Sequence, residues 1–121
     1  MINQDYDFTL RLGVPFAVTF FMILVIVRMN APSEKLLELS QAIASLSRFI
    51  RTEKGCRHCD LCQSVEDENQ LFLLEEWDAE ENLIAHLKSE HIMVLQGAMN
   101  LLKEPYEMTF HRAFHPGDRK R

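Results

Sequence analysis

The sequence predicts an α+β fold of the ferredoxin-like, split βαβ kind, built on a four-stranded antiparallel sheet. Three observations carry that expectation. The periods of the apolar residues run in the order strand, helix, strand, strand, helix, strand. The second and third strand patterns are joined by a short acidic turn and so form a hairpin. The chain has 121 residues, enough for one domain with one modest core.

Each element has its own signal. Met22 to Met29, MILVIVRM, is apolar on both faces and predicts a buried strand. NAPSEK breaks it, with Pro32 as punctuation and Ser33 as the expected N-cap. From Glu34 to about Glu53, Leu36, Leu39, Ile43, Leu46 and Ile50 recur in steps of three and four, the mark of an amphipathic helix. Lys54 and Gly55 end it, Gly55 being suited to the left-handed position after a helix. Cys56 to Val65 reads as the second strand, EDEN at 66–69 as the turn and QLFLLEEW at 70–77 as the third strand. Asp78 is the expected cap of the next helix, with Glu81 completing a capping-box pattern and Leu83, Ile84 and Leu87 as its buried stripe. A further helical stretch runs from His91 to about Lys103, where Pro105 stops it. Tyr106, Met108, Phe110, Arg112 and Phe114 alternate along the last strand.

Helices on one side cover only one face of such a sheet. The first and third strands carry apolar residues on both faces, which leaves a patch larger than a monomer normally shows. A homodimer, sheet against sheet, is the expected cover.

The domain is expected over residues 22–114, with 1–21 as a strand-like arm or a segment upstream of the natural start, and 115–121 as a basic tail. Phe8, Leu10, Leu12, Val14, Phe16, Val18 and Phe20 alternate as in a strand. VPFAVTFFMILVIV, residues 14–27, is shorter than the ~20 apolar residues of a membrane helix and contains Pro15. Asp5 and Asp7 outnumber Arg11 ahead of it, unlike a secretory leader. No membrane partner is therefore expected. With a net charge of −5 and Arg119-Lys120-Arg121 as its one basic run, in the short tail, the chain is a poor prospect for nucleic acid, and no such partner is expected. Three cysteines in one short stretch argue for a reducing compartment, so the expected location is cytoplasmic.

GCRHCDLCQS, residues 55–64, invites a metal reading. On a strand, Cys56 and Cys62 share a face roughly 20 Å apart at ~3.3 Å per residue, and Cys59 points the other way. One zinc with Zn–S bonds of ~2.3 Å cannot gather all three. His58 is the sole local candidate for a fourth ligand, and no second ligand group exists elsewhere. Structural cysteines and no metal site are expected.

Chemistry is more readily placed in HLKSEH. His86 and His91 are five residues apart, roughly 140° around a continuous helix, so a kink near Ser89 is needed to turn both toward one cavity. Either is a candidate general acid or base near neutral pH; the plainer reading makes them a stripe residue and a helix cap. Trp77 is a core residue or the wall of a pocket for a flat ligand. Glu75 and Glu76 point to opposite faces and form no carboxylate pair. Arg28 and Arg112, near the ends of the first and last strands, are candidates to hold an anion or phenolate, or form surface ion pairs.

Taken together, MILVIVRM, the GC opening the second strand, LFLLEEWDAEENLIAHLKSEH and the closing strand resemble the antibiotic biosynthesis monooxygenase domain, and most nearly its small quinol-monooxygenase-like members. The resemblance spans about residues 22 to 114. It implies a dimeric α+β barrel with a cavity between sheet and helices. It also implies oxidation of a quinol or similar small electron-rich aromatic by O2, without flavin, haem or metal, so that no cofactor is expected. His86 and His91 become the expected catalytic residues, with Trp77, Arg28, Arg112 and Cys59 the expected substrate contacts. Haem-degrading relatives carry a tryptophan where His86 stands, a histidine near Gln96 and an asparagine at about Val27; haem degradation is therefore not expected. Cys59 and Cys62 replace an aromatic residue of many relatives and would widen the cavity. The alternatives are an isomerase of a small phosphorylated carbonyl compound, which shares the histidine spacing, and a dimeric binding module without catalysis.

Overall fold

A computed structural model describes residues 19–102 and 104–116. Strand β1 (Thr19–Asn30) leads through a 3-10 turn (Ser33–Lys35) into helix α1 (Leu36–Ile50). Strands β2 (Cys56–Gln63) and β3 (Gln70–Trp77) form the hairpin. Helices α2 (Glu80–Leu87) and α3 (Glu90–Ala98) follow, then a 3-10 turn at Met99–Leu101 and strand β4 (Glu107–Pro116). The strands lie in the order β2-β3-β1-β4, all pairs antiparallel. This is the expected four-stranded, ferredoxin-like α+β arrangement.

Alternation along the strands decides where the core sits. Val25, Val27 and Met29 of β1 and Leu71, Leu73 and Trp77 of β3 are buried on one face. They pack in one cluster with Leu39, Ile43, Leu46 and Ile50 of α1, Leu83 of α2 and Ile92 and Leu95 of α3. The intervening residues Leu24, Ile26, Phe72 and Leu74 lie on the other face, half-buried and outside that cluster.

Several local expectations need correction. Within the described residues strand β1 already includes Thr19, ahead of Met22, and β4 includes Pro116; the remainder of the arm, residues 1–18, and the tail from 117 lie outside the described residues. β2 stops at Gln63, leaving Val65 fully exposed in the turn. Ser33 caps nothing: Pro32 holds the N-cap position, and the Ser33 hydroxyl instead accepts a hydrogen bond from Asn69 Nδ2 at 3.1 Å. Asp78 is one residue too early to cap α2, whose N-cap is Ala79; its carboxylate accepts from Asn82 Nδ2 at 2.8 Å. Ser89, in extended backbone conformation, caps α3 by accepting from the Ile92 amide.

The alternation of the cysteines also differs from expectation. A register shift between Cys56 and His58 inserts a residue, so Cys56 lies opposite Trp77 and Cys59 opposite Glu75, both positions on the helix-covered face. Cys62, opposite Phe72, is on the other. The bulge resets the two-residue period that the sequence reading assumed. No group of three or more metal-ligating side chains gathers among the described residues. No described helix is long and apolar enough to cross a membrane.

Gly55 has φ of 86°, the left-handed conformation expected after α1. Its carbonyl accepts from the Asp78 amide at 2.9 Å, tying this turn to the end of β3. A Cβ here would lie 2.5 Å from both Asp78 Oδ1 and Asn82 Nδ2. Gly55→Ala is expected to destabilise the fold by about 1–2 kcal/mol through backbone strain alone, with the crowding added. Urea denaturation measures it; an unchanged midpoint would remove the strain argument.

Candidate active site

The site grows out of three chain segments that the core brings together. On α1, the buried stripe Leu39, Ile43, Leu46, Ile50 advances in steps of four, three and four, and the next step of three reaches Glu53. This carboxylate sits in the turn leading to Gly55, directed inward because it continues the apolar face. On β3, Glu75 and Trp77 share the helix-covered face, two residues apart. On α2, the inner face supplies Leu83 and, one turn on, His86. The break at Lys88 and Ser89 then redirects the chain so that His91, in the first turn of α3, faces the same place.

Both histidines meet at Glu53. His86 Nδ1 lies 2.8 Å from Glu53 Oε1, and His91 Nδ1 hydrogen-bonds to Glu53 Oε2. His86 is 1% exposed and its ring stacks on Trp77, with centroids 4.6 Å apart. Its Nε2 is 3.4 Å from Glu75 Oε1, within ion-pair reach but without an aligned hydrogen bond. Glu75, also buried, accepts from Trp77 Nε1 at 2.9 Å. The His91 side chain is 32% exposed and lies beside Phe49, ring centroids 5.9 Å apart. Phe49 is an exposed aromatic residue, 57% accessible, near the end of α1.

Burial disfavours the charged form of His86, but Glu75 and Glu53 outweigh it and raise its pKa above the ordinary 6.5. The consequence for stability follows from linkage. A group whose folded pKa is raised contributes fully below its unfolded pKa and loses that contribution as pH rises through the folded value. The folded protein is therefore expected to lose stability as pH rises above about 6.5, where the unfolded chain has already released the proton. Denaturation midpoints measured on both sides of that pH check it, and His86→Gln should flatten the dependence.

The thiols behave in the opposite sense. Burial, followed by Glu75 and Glu53, pushes the Cys56 thiol up to about 11. Burial and Glu75 likewise push the Cys59 thiol up. Neither is held as the thiolate that nucleophilic or redox chemistry requires.

Of the sequence-predicted site residues, the structure gathers His86, His91 and Trp77 around one centre, with Cys59 opposite Glu75 on the neighbouring strand. Trp77 is fully buried; it stacks on His86 and donates to Glu75. Arg28 is not part of the cluster. It alternates onto the other face of the sheet, opposite Phe72 and 5.8 Å above that ring. Arg112 is also elsewhere, 5.0 Å above the Phe21 ring, where it lines a separate groove of about 220 Å³ with Ile23, Asp78 and Glu80. Sequence reasoning missed Glu53 and Phe49. The signal for Glu53 was available, as the one carboxylate extending the apolar stripe of α1.

The fold and the cluster together define a small α+β domain with a buried histidine–carboxylate centre between sheet and helices. The model of the family described as antibiotic biosynthesis monooxygenase matches residues 22–97, and the chain belongs to that family. Membership makes it monooxygenase-like in kind. Among solved structures it is similar to a conserved protein of Methanosarcina mazei Go1, at 26% identity and a TM-score of 0.71, covering 75% of this chain and 91% of that one. It is also similar to Rv0793 of Mycobacterium tuberculosis, at 25% identity and a TM-score of 0.69, over 74% and 92% of the two chains. A candidate antibiotic biosynthesis monooxygenase of Nitrosomonas europaea shares the fold at 19% identity and a TM-score of 0.72, over 76% and 89%. No curated protein matches the sequence.

Proposed function

We propose that the protein is a cofactor-independent monooxygenase that oxidises a quinol or a similar electron-rich aromatic with O2. The observation that carries this reading is the pair of histidines from two helices joined on one carboxylate. Such a centre can take a proton from a phenolic hydroxyl, hold it and give it back.

In the proposed reaction the cluster of His86 and His91 removes the hydroxyl proton, placing carbanion character on the ring. The ring passes an electron to O2 and the two recombine, forming a carbon–oxygen bond. The peroxide takes the proton back from the cluster. Loss of the ring C–H proton then breaks the O–O bond and expels water. A quinol and O2 thus yield a hydroxyquinone and water, with both reducing electrons coming from the substrate. Phe49 offers a flat face beside His91 for the ring, and the buried Trp77 and Glu75 hold the cluster in place.

The half-buried apolar residues Leu24, Ile26, Phe72 and Leu74 support the second part of the proposal, a homodimer formed through the outer face of the sheet. A sheet-to-sheet pairing would remove this patch from water and leave each centre under its own helices.

Oxygen uptake on adding a panel of quinols, with hydroxyquinone appearing in equal amount, tests the reaction. Activity is expected to survive exhaustive dialysis against a chelator. Turnover of a phosphorylated carbonyl compound in the absence of O2 would instead select the isomerase reading.

A further inference from the structure

The proposed reaction needs one proton acceptor, yet the centre holds two histidines. We infer that Glu53 gives them different roles: His91 is the base, acting through Nε2, and His86 is a cation at neutral pH that positions Glu53 without meeting substrate. This deepens the proton-transfer reading above and rests on it for its catalytic half, whereas the protonation states it assigns can be read with no substrate present.

The argument is one of hydrogen-bond inventory. An ionised carboxylate only accepts. Glu53 receives Nδ1 of His86 on one oxygen and Nδ1 of His91 on the other, so both Nδ1 atoms carry hydrogen. A neutral His91 with its proton on Nδ1 keeps its lone pair on Nε2, and this ring belongs to the partly exposed member of the pair. Its outer neighbour is the exposed Phe49, so the free nitrogen belongs to the ring that a flat substrate can approach.

His86 meets a different set of neighbours. Trp77 covers one ring face. Glu53, from the turn after α1, lies at Nδ1, and Glu75, from β3, lies 3.4 Å from Nε2. A lone pair on Nε2 would sit 3.4 Å from a carboxylate oxygen in a buried site, whereas a proton there is attracted to it. Cys56 and Cys59 of β2, which couple to Glu75, are neutral thiols and add no charge there. His86 is therefore protonated on both nitrogens, and its buried ring has no route to substrate.

The charge count gives this division a purpose. Glu53 and Glu75 carry two negative charges against the single positive charge of His86. The surplus carboxylate charge is shared at Glu53, directly on His91. When His91 takes the substrate's proton, the four-residue centre becomes neutral. Glu53 thus does for His91 what a buried aspartate does in a catalytic triad: it selects the tautomer and stabilises the imidazolium that forms.

The test is a long-range 1H–15N correlation spectrum of the imidazole rings in the full-length 15N-labelled protein, with His86→Gln and His91→Gln used for assignment. At neutral pH, His86 is expected to show two protonated nitrogens, and neutral His91 a protonated Nδ1 with a bare Nε2. A neutral His86, or a His91 protonated on Nε2 alone, would overturn the inference. Glu53→Gln supplies the kinetic arm. Its amide offers only one acceptor oxygen, so His91 should populate both tautomers, and kcat for a quinol should fall about 10²-fold or more with KM little changed. A full rate in that variant would also overturn the assignment. The two readings fail separately. Correct tautomers without quinol turnover leave the protonation assignment standing and remove the oxidation; quinol turnover with the wrong tautomers does the reverse.

Discussion

Replacing His91 with alanine is expected to lower quinol turnover by about 10²–10⁴-fold, the range that a positioned general base contributes. The fold should tolerate the change. His91 is partly exposed in the first turn of α3, and the residues that anchor this helix, Ile92 and Leu95, are buried and untouched. The Ser89 cap also remains. The loss should therefore appear in kcat, with only a small fall in the urea midpoint, because Glu53 keeps its bond to His86. The comparison with His86→Gln is informative, because His86 is buried and charged: there a fall in activity should be accompanied by lost stability. Unchanged turnover in both His86→Ala and His91→Ala would remove the catalytic assignment and favour a binding module.

Trp77→Ala is the expected worst case for stability, at about 3–5 kcal/mol for truncating a buried tryptophan. That is a large part of the ~5–15 kcal/mol available to an ordinary domain. Trp77 is wholly inaccessible, it stacks on His86 and it donates to Glu75. Its removal leaves a cavity under α2 and deprives a buried carboxylate of its hydrogen-bond donor. Trp77→Phe separates the two effects. The phenyl ring keeps most of the packing, so the cost should drop to about 1–3 kcal/mol, that of a buried acceptor left unpaired. Guanidinium unfolding of both variants checks the order. An alanine variant no weaker than the phenylalanine variant would mean that the hydrogen bond, and not the ring, holds this corner together.

His86, His91 and Trp77 were legible as candidates because their residue types are uncommon and chemically marked. What they do was not. As a solitary strand residue, Trp77 reads first as core and second as a pocket wall; only the packing of α2 over β3 shows it wholly covered. Arg28 and Arg112 were candidates for anion binding from their place near strand ends, yet pairing register sends Arg28 to the opposite face and leaves Arg112 in another groove. The cysteines show the limit most clearly. A strict two-residue period puts Cys56 with Cys62, and the single inserted residue at Cys56/His58 puts it with Cys59 instead.

The amino-acid sequence by itself determined the element order, the hairpin, the buried stripe of α1, the glycine turn at Gly55 and the presence of two apolar sheet faces. These depend on short-range periodicity and backbone preference, which neighbouring residues impose on one another. Tertiary structure alone decided that Glu53, His86 and His91 share hydrogen bonds and that Glu75 closes the far side. It also set the different exposure of the two histidines. The Glu53 bonds join residues more than thirty positions apart, and their direction depends on where α2 breaks and how α1 ends. A local pattern carries no information about which distant carboxylate a histidine will meet.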